Sequence, residues 1–456
     1  MLLTDKATLN HYRCPEVFAQ FELSSQPDPR DGYFRFGSDV ICYGRSSAGQ
    51  SPDVSGSANY DALKHARADQ SGLSLPFEPS QVVDNLRCER YMGNGTSNGW
   101  RAAWKSLQRD VYYRIRPYLG VSLRKHLQRA ALKDWKEIPF PNWPVDRTAD
   151  RILEKLLALS MKAHEVDKIP FIWFWPDGSE SCAIMTHDVE ESAGLSLCDQ
   201  LMDIDASFNL RSSFQIVPEK RYSIPPGFLD RLRSKGFEVN VHDLNHDGHL
   251  FREREEFLRR AQKINGYLKL YRTKGFRAGM LYRNLNWFDS FEFSYDMSVP
   301  NVGHLDPQRG GCCTVMPYFV RDILEIPLTT TQDYSLFHIL QDYTTQLWER
   351  QAQFIIKNHG LVSFNVHPDY IHEQKSRGVY RALLGFLSRL RTEGKISWML
   401  PSEVDSWWRD RSQMTIVNVD GIWRIEGKNK ERAQIAYAYA EGDGIRYELT
   451  GRSKQV

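Results

Sequence analysis

The feature that most constrains the fold is an alternation between helical patterns and short apolar runs over residues 148–410. The apolar runs predict buried strands at CAIMT, SSFQIV, FEVNVH, LEIPL and LVSFNV. Amphipathic helices are predicted at 150–164, 228–235, 251–273 and 373–393. Such alternation is typical of a parallel sheet or barrel with helices outside, in which functional residues collect at the carboxyl ends of the strands.

Two regions of different character flank this unit. Residues 1–147 start with short mixed runs that predict a β-containing region, and they continue into a basic helix and a proline-rich connector. Residues 411–456 hold alternating runs around the turn sequences DG and GDG, which predict a small antiparallel module of β-hairpins. The sequence therefore predicts three parts: 1–147, 148–410 and 411–456.

Composition excludes several classes of function. The chain of 456 residues has a formal net charge of +2, so we expect no nucleic-acid partner. It shows neither a signal peptide nor an apolar stretch of about 18 residues, which predicts a cytoplasmic location. The seven cysteines are scattered without a CxxC pair, which indicates neither a disulfide framework nor a thiolate zinc site.

The basic helix, at 109–136, is the one segment that could bring the chain to a membrane. It carries eight Lys or Arg against two Asp. The helix could bind anionic lipid at the inner membrane surface or a polyanionic glycan, and a solvated helical face packed on the main domain is the other interpretation. The sequence leaves the oligomeric state undetermined.

Polar side chains able to do chemistry follow three of the predicted strands. Asp188 and Glu190, in THDVE, point the same way on an extended chain, so their repulsion requires a cation between them or a proton on one of them. His242 and His246 follow the FEVNV strand at a spacing that would join two imidazoles on one helical turn. His367 follows LVSFNV and could donate a proton across the site.

These residue types together indicate metal chemistry. Two imidazoles and one carboxylate can hold zinc or a similar metal and leave room for a bound water, which can become a hydroxide nucleophile near neutral pH. Arg277, in GFRAGMLYRN, could hold a catalytic carboxylate ionised and fix its direction. For His187 and His249 both a site role and a structural or surface role stay open.

The order of these motifs resembles that of the polysaccharide deacetylases, carbohydrate esterase family 4. The resemblance covers about residues 175–405 and rests on THDVE, GFEVNVHDLNHDGH, GFRAGMLYRNLNWF, LEIPLTTTQD and LVSFNVHPDYI. It implies an α/β fold of the irregular (β/α)7-type barrel. It also implies a divalent metal, most often Zn²⁺, and hydrolysis of acetyl groups on glycans.

The resemblance assigns a role to each site residue. The metal ligands would be Glu190, His242 and His246. Asp188 would be the general base that deprotonates the metal-bound water, and Arg277 would tether it. His367 would protonate the leaving amine, and the backbone N–H near Met280 would help to stabilise the oxyanion.

Two departures from the commonest family pattern leave the substrate open. Asp-Val-Glu stands where two adjacent aspartates and a glycine are usual, and this spacing resembles the branch that includes amide and cyclic-ureide hydrolases. Gly279 and Met280 stand where proline and an aromatic residue are usual, so Tyr282 or Trp287 could supply the aromatic platform. The resemblance as a whole leads us to expect removal of an acetyl group, N-acetyl foremost, from an exopolysaccharide or a related glycan intermediate. A small-molecule or cyclic amide hydrolase and an inactive glycan-binding scaffold are the alternatives.

Overall fold

A computed structural model of the protein describes residues 2–93, 129–442 and 444–450. It is a mixed α/β structure built around one large sheet. Within these ranges the α-helices are α1 (Lys6–Tyr12), α2 (Pro79–Arg87), α3 (Thr148–Ala163), α4 (Ser192–Ser207), α5 (Phe228–Ser234), α6 (Arg254–Leu270), α7 (Gln346–Lys357), α8 (Gln374–Thr392) and α9 (Pro401–Gln413).

The first strands belong to the N-terminal region: β1 (Leu2–Thr4), β2 (Gln20–Leu23), β3 (Gly32–Arg35), β4 (Ile41–Gly44), β5 (Arg67–Asp69) and β6 (Gly72–Leu75). The central strands are β7 (Lys168–Ile172), β8 (Cys182–Val189), β9 (Ser213–Ile216), β10 (Glu238–His242), β11 (Gly275–Arg277), β12 (Tyr295–Asp296), β13 (Tyr318–Val320), β14 (Ile323–Glu325), β15 (Leu361–Asn365) and β16 (Ser397–Trp398). The last strands are β17 (Thr415–Val419), β18 (Ile422–Glu426), β19 (Ile435–Glu441) and β20 (Gly444–Leu449).

The large sheet has nine strands in the order β13-β14-β12-β11-β10-β9-β8-β15, with β16 beside the start of β8. All of its pairs are parallel except β13 with β14. Five of its strands, β8, β9, β10, β14 and β15, are the five apolar runs predicted as buried strands, and the predicted helices are α3, α5, α6 and α8. The predicted parallel sheet with crossover helices is therefore confirmed.

The sheet curves so that the chain after β14 reaches β15. The Thr330 N–H donates to the Ser363 carbonyl at 3.2 Å, and the Thr329 hydroxyl donates to the Leu361 carbonyl at 2.7 Å. These bonds bring the carboxyl ends of strands from both sides of the sheet around one centre. The strand count of a (β/α)7-type barrel stays a prediction.

A second hydrophobic core joins residues from all three predicted parts. It includes Tyr12 from the N-terminal region, Phe171 and Trp407 from the central range, and Ala438 from the last hairpin. β19 pairs antiparallel with β7, so the C-terminal hairpin extends a strand of the central range. The buried Arg411 donates to carbonyls of His11, Tyr12, Ile172 and Trp173 and so ties these segments together. The three-part division stays a prediction.

Most of the basic helix predicted at 109–136 lies outside the described residues, and within their range the segment Lys133–Glu137 is a 3-10 turn. In the described part of the chain no helix is both long and apolar enough to cross a membrane. All seven cysteines are free thiols, six of them buried.

Candidate metal and catalytic site

β8 carries Asp188 to the centre of the sheet and leaves Glu190 just beyond its end. Alternation along the strand turns the intervening histidine the other way. His187 lies within 2.8 Å of the Val366 carbonyl and 3.1 Å of an Asp205 oxygen, and it is fully buried. His187 therefore belongs to the packing between β8 and its helices, and the two acids face the opposite side.

The two histidines of HDLNH come together without a helical turn. His242 is the last residue of β10, whereas His246 lies in the following bend with a left-handed φ of +53°. Their ring centroids are 4.9 Å apart. The expectation of one helical turn was wrong, because the chain leaves the sheet at His242 and folds back instead of winding onward. His249 lies farther along the same loop with 40% of its side chain exposed, beside Asp247.

The ligand atoms of three residues converge on one point. Glu190 Oε1 lies 3.0 Å from His246 Nε2 and 3.9 Å from His242 Nε2. Potential ligand atoms of all three lie within 4.8 Å of one another. Ligands bound to one zinc ion at about 2.0–2.2 Å stand roughly 3–4 Å apart, so this spacing suits a shared cation.

The hydrogen bonding of the histidines supports the same conclusion. His242 Nδ1 lies 3.0 Å from the Arg277 carbonyl, and if it carries the proton, its Nε2 is left as a lone-pair donor. Within the described residues, His242 Nε2 and both ring nitrogens of His246 are buried without a hydrogen-bond partner. Buried polar atoms are costly when unpaired. This donor set therefore fits a divalent cation, which would give the Nε2 atoms of the two histidines a partner.

Asp188 is held as an ionised carboxylate. Arg277 Nη1 donates to its Oδ1 at 2.9 Å, and Asn365 Nδ2 donates to its Oδ2 at 2.8 Å. Burial alone would raise the pKa of Asp188, but Arg277, with His242 and His367 nearby, outweighs burial and lowers it to about 2. Arg277 is itself fixed by bonds to the Met297 carbonyl and the Thr186 hydroxyl. At neutral pH Asp188 is thus an oriented proton acceptor.

The surroundings of His367 favour its protonated, positively charged form. Its Nδ1 lies 2.6 Å from Asp333 Oδ1, and its Nε2 lies 3.8 Å from Asp188 Oδ2 and 3.5 Å from Glu190 Oε1. Burial would lower the pKa of His367, but Asp333 and Glu190 outweigh it and raise the pKa well above 6.5. The site therefore pairs an ionised carboxylate with a protonated imidazole.

Sequence reasoning missed four polar residues that support these groups: Asp306, Gln332, Asp333 and Asn365. Asn365 Nδ2 donates to Asp188 and, at 3.2 Å, to the side-chain Oε1 of Gln332. Gln332 Nε2 in turn donates to Asp306 at 2.7 Å. Polar residues at the ends of LVSFN and LEIPLTTTQD could have indicated Asn365 and Asp333. Asp306 carries no such signal, because it lies in a loop far from any predicted strand.

These groups open into a pocket of about 550 Å³, counting the space toward solvent. Its lining includes Glu190, His246, Met280, Asp306, Tyr334, His367 and Tyr370. The aromatic side chains at its wall are Tyr334 and Tyr370, in place of the predicted Tyr282 and Trp287; Trp287 packs against Phe257 at 5.0 Å. Met280 has a left-handed φ of +57°, which turns the chain sharply at the pocket.

No protein-family model matches the sequence, and no curated protein matches it. Solved structures do match. One is a protein assigned as a polysaccharide deacetylase from Mycobacterium smegmatis, with 17% identity, 52% of this chain and 93% of that chain covered, and a TM-score of 0.40. Another is PuuE allantoinase, with 12% identity, 52% and 92% covered, and a TM-score of 0.42.

A third match is the peptidoglycan deacetylase PdaC from Bacillus subtilis, with 11% identity, 51% of this chain and 93% of that chain covered, and a TM-score of 0.33. These similarities concern about half of the chain, and the function proposed below rests on this protein's own side chains. Polysaccharide deacetylases, the family that the motifs resemble, are thus among the solved structures to which this chain is similar.

Proposed function

We propose that this protein is a divalent-metal-dependent hydrolase that removes acetyl groups, N-acetyl foremost, from a polysaccharide or glycan intermediate. The observation that carries the proposal is the pairing of Asp188 and His367. Asp188 Oδ2 and His367 Nε2 lie 3.8 Å apart beside three converging ligand atoms, and their surroundings lower the pKa of Asp188 and raise that of His367. Amide hydrolysis needs both a proton acceptor for the attacking water and a proton donor for the leaving nitrogen.

Glu190, His242 and His246 would hold the metal, and Zn²⁺ is the identity that a nitrogen and carboxylate donor set favours. A divalent metal held there would supply Lewis-acid chemistry, lowering the pKa of a coordinated water and polarising the acyl oxygen. Glu190 is the most exposed of the three, with 17% of its side chain accessible, so the metal position borders the pocket. This border is where an acetyl group would enter.

Asp188 acts as the general base. Arg277 and Asn365 each occupy one of its oxygens, which fixes the plane of the carboxylate and leaves a lone pair to accept a proton. A carboxylate with a pKa of about 2 is ionised at every pH at which the protein would work. Its weakness as a base in water is offset by its fixed position next to the reacting water.

His367 acts as the general acid and protonates the leaving nitrogen from Nε2. Asp333 holds Nδ1, so only Nε2 is directed at the pocket. The backbone N–H near Met280, at the wall of the same pocket, is proposed to donate to the oxyanion, where charge develops only in the transition state. We also infer that the curved sheet is the irregular (β/α)7-type barrel implied by the motifs.

Acetate release tests the proposal. Purified protein is assayed for bound metal by mass spectrometry, then for acetate from N-acetylated chitooligosaccharides, O-acetylated glycans and cyclic ureides. We expect about one divalent metal per chain and acetate from the N-acetylated glycans. His249→Ala is the matched control for His246→Ala, because both histidines lie on one loop and only His246 joins the ligand cluster.

The other outcomes are informative as well. Cleavage of cyclic ureides without acetate release would assign the site to small-molecule amide hydrolysis. A protein that binds metal and hydrolyses no substrate class, with the His246→Ala variant behaving like the native chain, would contradict a catalytic site and leave a glycan-binding scaffold.

A further inference from the structure

A second large cavity lies between the N-terminal region and the central sheet. It is a groove of about 1,430 Å³, counting the space open to solvent. Residues of α1, α2, α9 and the segment 317–321 line it, and it shares no lining residue with the catalytic pocket. Nothing in the hydrolytic mechanism uses this groove.

Arg87, the last residue of α2, lies in the groove with its charge unpaired. The side chain is 8% exposed, and its Nε is buried without a hydrogen-bond partner within the described residues. Its guanidinium carbon lies 5.4 Å from the centre of the Tyr318 ring, and its carbonyl accepts a bond from the Tyr318 hydroxyl at 2.9 Å. These contacts hold the residue in place but leave the donors of the guanidinium without an acceptor.

The other buried arginines of the described ranges each donate to acceptors of the protein, although Nη2 of Arg277 also lacks a partner. Arg283 forms a paired bond with Glu89, Arg277 bonds Asp188, and Arg411 bonds backbone carbonyls. Burying the Arg87 Nε–H without an acceptor is costly, since this group loses its water and gains no hydrogen bond. Arg87 is therefore the buried cation of this region that lacks an acceptor from the protein.

The surroundings of Arg87 are cationic on balance. The lining of the groove contains the cations Lys6, Arg87, Arg90 and Arg321 against the acids Glu78 and Asp84. His11, also in the lining, is neutral, because burial and then the nearby Arg87 and Arg411 hold its pKa well below 6.5. Burial raises the pKa of Asp84, although Arg87 and Arg90 oppose the shift.

We propose that this groove binds a ligand carrying an oxyanion, a carboxylate or a phosphate, which pairs with the Arg87 guanidinium. A planar guanidinium matches the two oxygens of either group. The aromatic wall beside Arg87 lowers the local dielectric and strengthens such a pair. If the proposed function holds, such oxyanions would reach the protein as uronic acids or as sugar phosphates.

Calorimetric titration of the full chain with inorganic phosphate and with glucuronate tests the proposal. We expect at least one probe to bind, and the tighter one identifies the source of the oxyanion. Arg87→Gln keeps the length of the side chain and removes its charge, and it should weaken binding at least about tenfold. Arg45→Gln, at an exposed arginine paired with Asp31, is the matched control and should leave affinity unchanged.

Two results would overturn the proposal: no binding of either probe to the native chain, or equal affinity in Arg87→Gln. If Arg87→Gln does not fold, as judged by circular dichroism, Arg90→Gln at the same groove decides. The affinity of Arg90→Gln for the probe should then be lower than that of the native chain. The affinity of the native chain should also fall with added NaCl, because salt screens the pairing of an oxyanion with a guanidinium. If neither Arg90→Gln nor added NaCl changed the affinity for the probe, an oxyanion site would be contradicted.

Discussion

Asp333 accepts two hydrogen bonds from His367, one from the backbone N–H at 2.7 Å and one from Nδ1 at 2.6 Å. One buried carboxylate thus fixes both the position of the residue and the direction of its ring. The same contact raises the pKa of His367, although burial opposes it. Asp333 is therefore a positioning residue for the proposed general acid.

Replacing Asp333 with asparagine should move the alkaline limb of the pH–rate profile. A general acid works only while protonated, so the rate falls as pH rises through its pKa. Asp333→Asn removes the main group that raises the pKa of His367, so the limb should shift to lower pH. Asp205→Asn breaks a comparable contact with His187, outside the site, and should leave the limb in place. If the alkaline limb of the pH–rate profile did not move in Asp333→Asn, Asp333 would have only a structural role.

Asp188→Asn should separate catalysis from metal binding. The amide keeps the shape of the side chain but cannot take a proton, so turnover should fall by about 10²–10⁴ while the metal content stays near one per chain. His242→Ala should lose both metal and activity. Acetate release and metal analysis on the same preparations check this, and native-like activity in Asp188→Asn would remove it from the role of base.

Removing the metal should lower stability as well as activity. A ligand that binds only the folded chain stabilises it, by roughly 4 kcal/mol at a thousand times its dissociation constant. Dialysis against a chelator should therefore lower the melting temperature, and added Zn²⁺ should restore it. His246→Ala should melt at the same temperature with or without Zn²⁺, whereas His249→Ala should behave like the native chain. If the chelator left the melting temperature of the native protein unchanged, this would argue against the metal site.

Asp306 should contribute to substrate binding in a pH-dependent way. Burial raises its pKa to about 6, although Arg283 opposes the shift. The carboxylate is the stronger acceptor for a sugar hydroxyl or amide N–H, so KM should rise as pH falls below about 6. Asp306→Asn should raise KM by roughly tenfold, remove this pH dependence and change kcat little. A fall in kcat at unchanged KM would instead place Asp306 in the chemical step.

Glu89 should couple the N-terminal region to the pocket wall. It forms a buried pair with Arg283 and accepts a bond from the Gly311 N–H at 2.6 Å, next to the loop that carries Asp306. Glu89→Gln leaves the Arg283 charge buried and unpaired, which should cost about 3–5 kcal/mol of unfolding free energy. Asp199→Asn, in an exposed pair with Arg231, should cost at most about 1 kcal/mol. Chemical denaturation measures both, and equal losses would contradict the coupling.

Much of the architecture was predictable, because a regular pattern of apolar residues indicates the secondary structure of a segment. The runs that became β8, β9, β10 and β15 each hold at least two apolar residues in a short stretch, and every residue of these strands except Glu238 is buried, as in strands covered on both faces. The two- and three-residue strands β11, β12 and β16 were not predicted, since such short segments carry no period and exist only because neighbouring strands supply hydrogen-bond partners.

The features of the site also divide into those that the sequence predicted and those that it did not. Asp188, Glu190, His242, His246, Arg277 and His367 were identified from residue type and position after an apolar run. That the two histidines meet through a bend with left-handed backbone could not be predicted, because a four-residue spacing is equally compatible with a helical turn. Asp333 and Asn365 act only through contacts with residues 34 and 177 positions away, at His367 and Asp188.

The sequence by itself determined which residues can do the chemistry and that parallel strands would carry them to one edge of a sheet. The tertiary structure alone decided their states. Asp188 is ionised and His367 protonated because of what is packed against each of them, and burial, which opposes both charges, is overcome only by partners brought from distant strands and loops. Local sequence sets propensity and identity, but a pKa in a buried site depends on the whole set of surrounding charges.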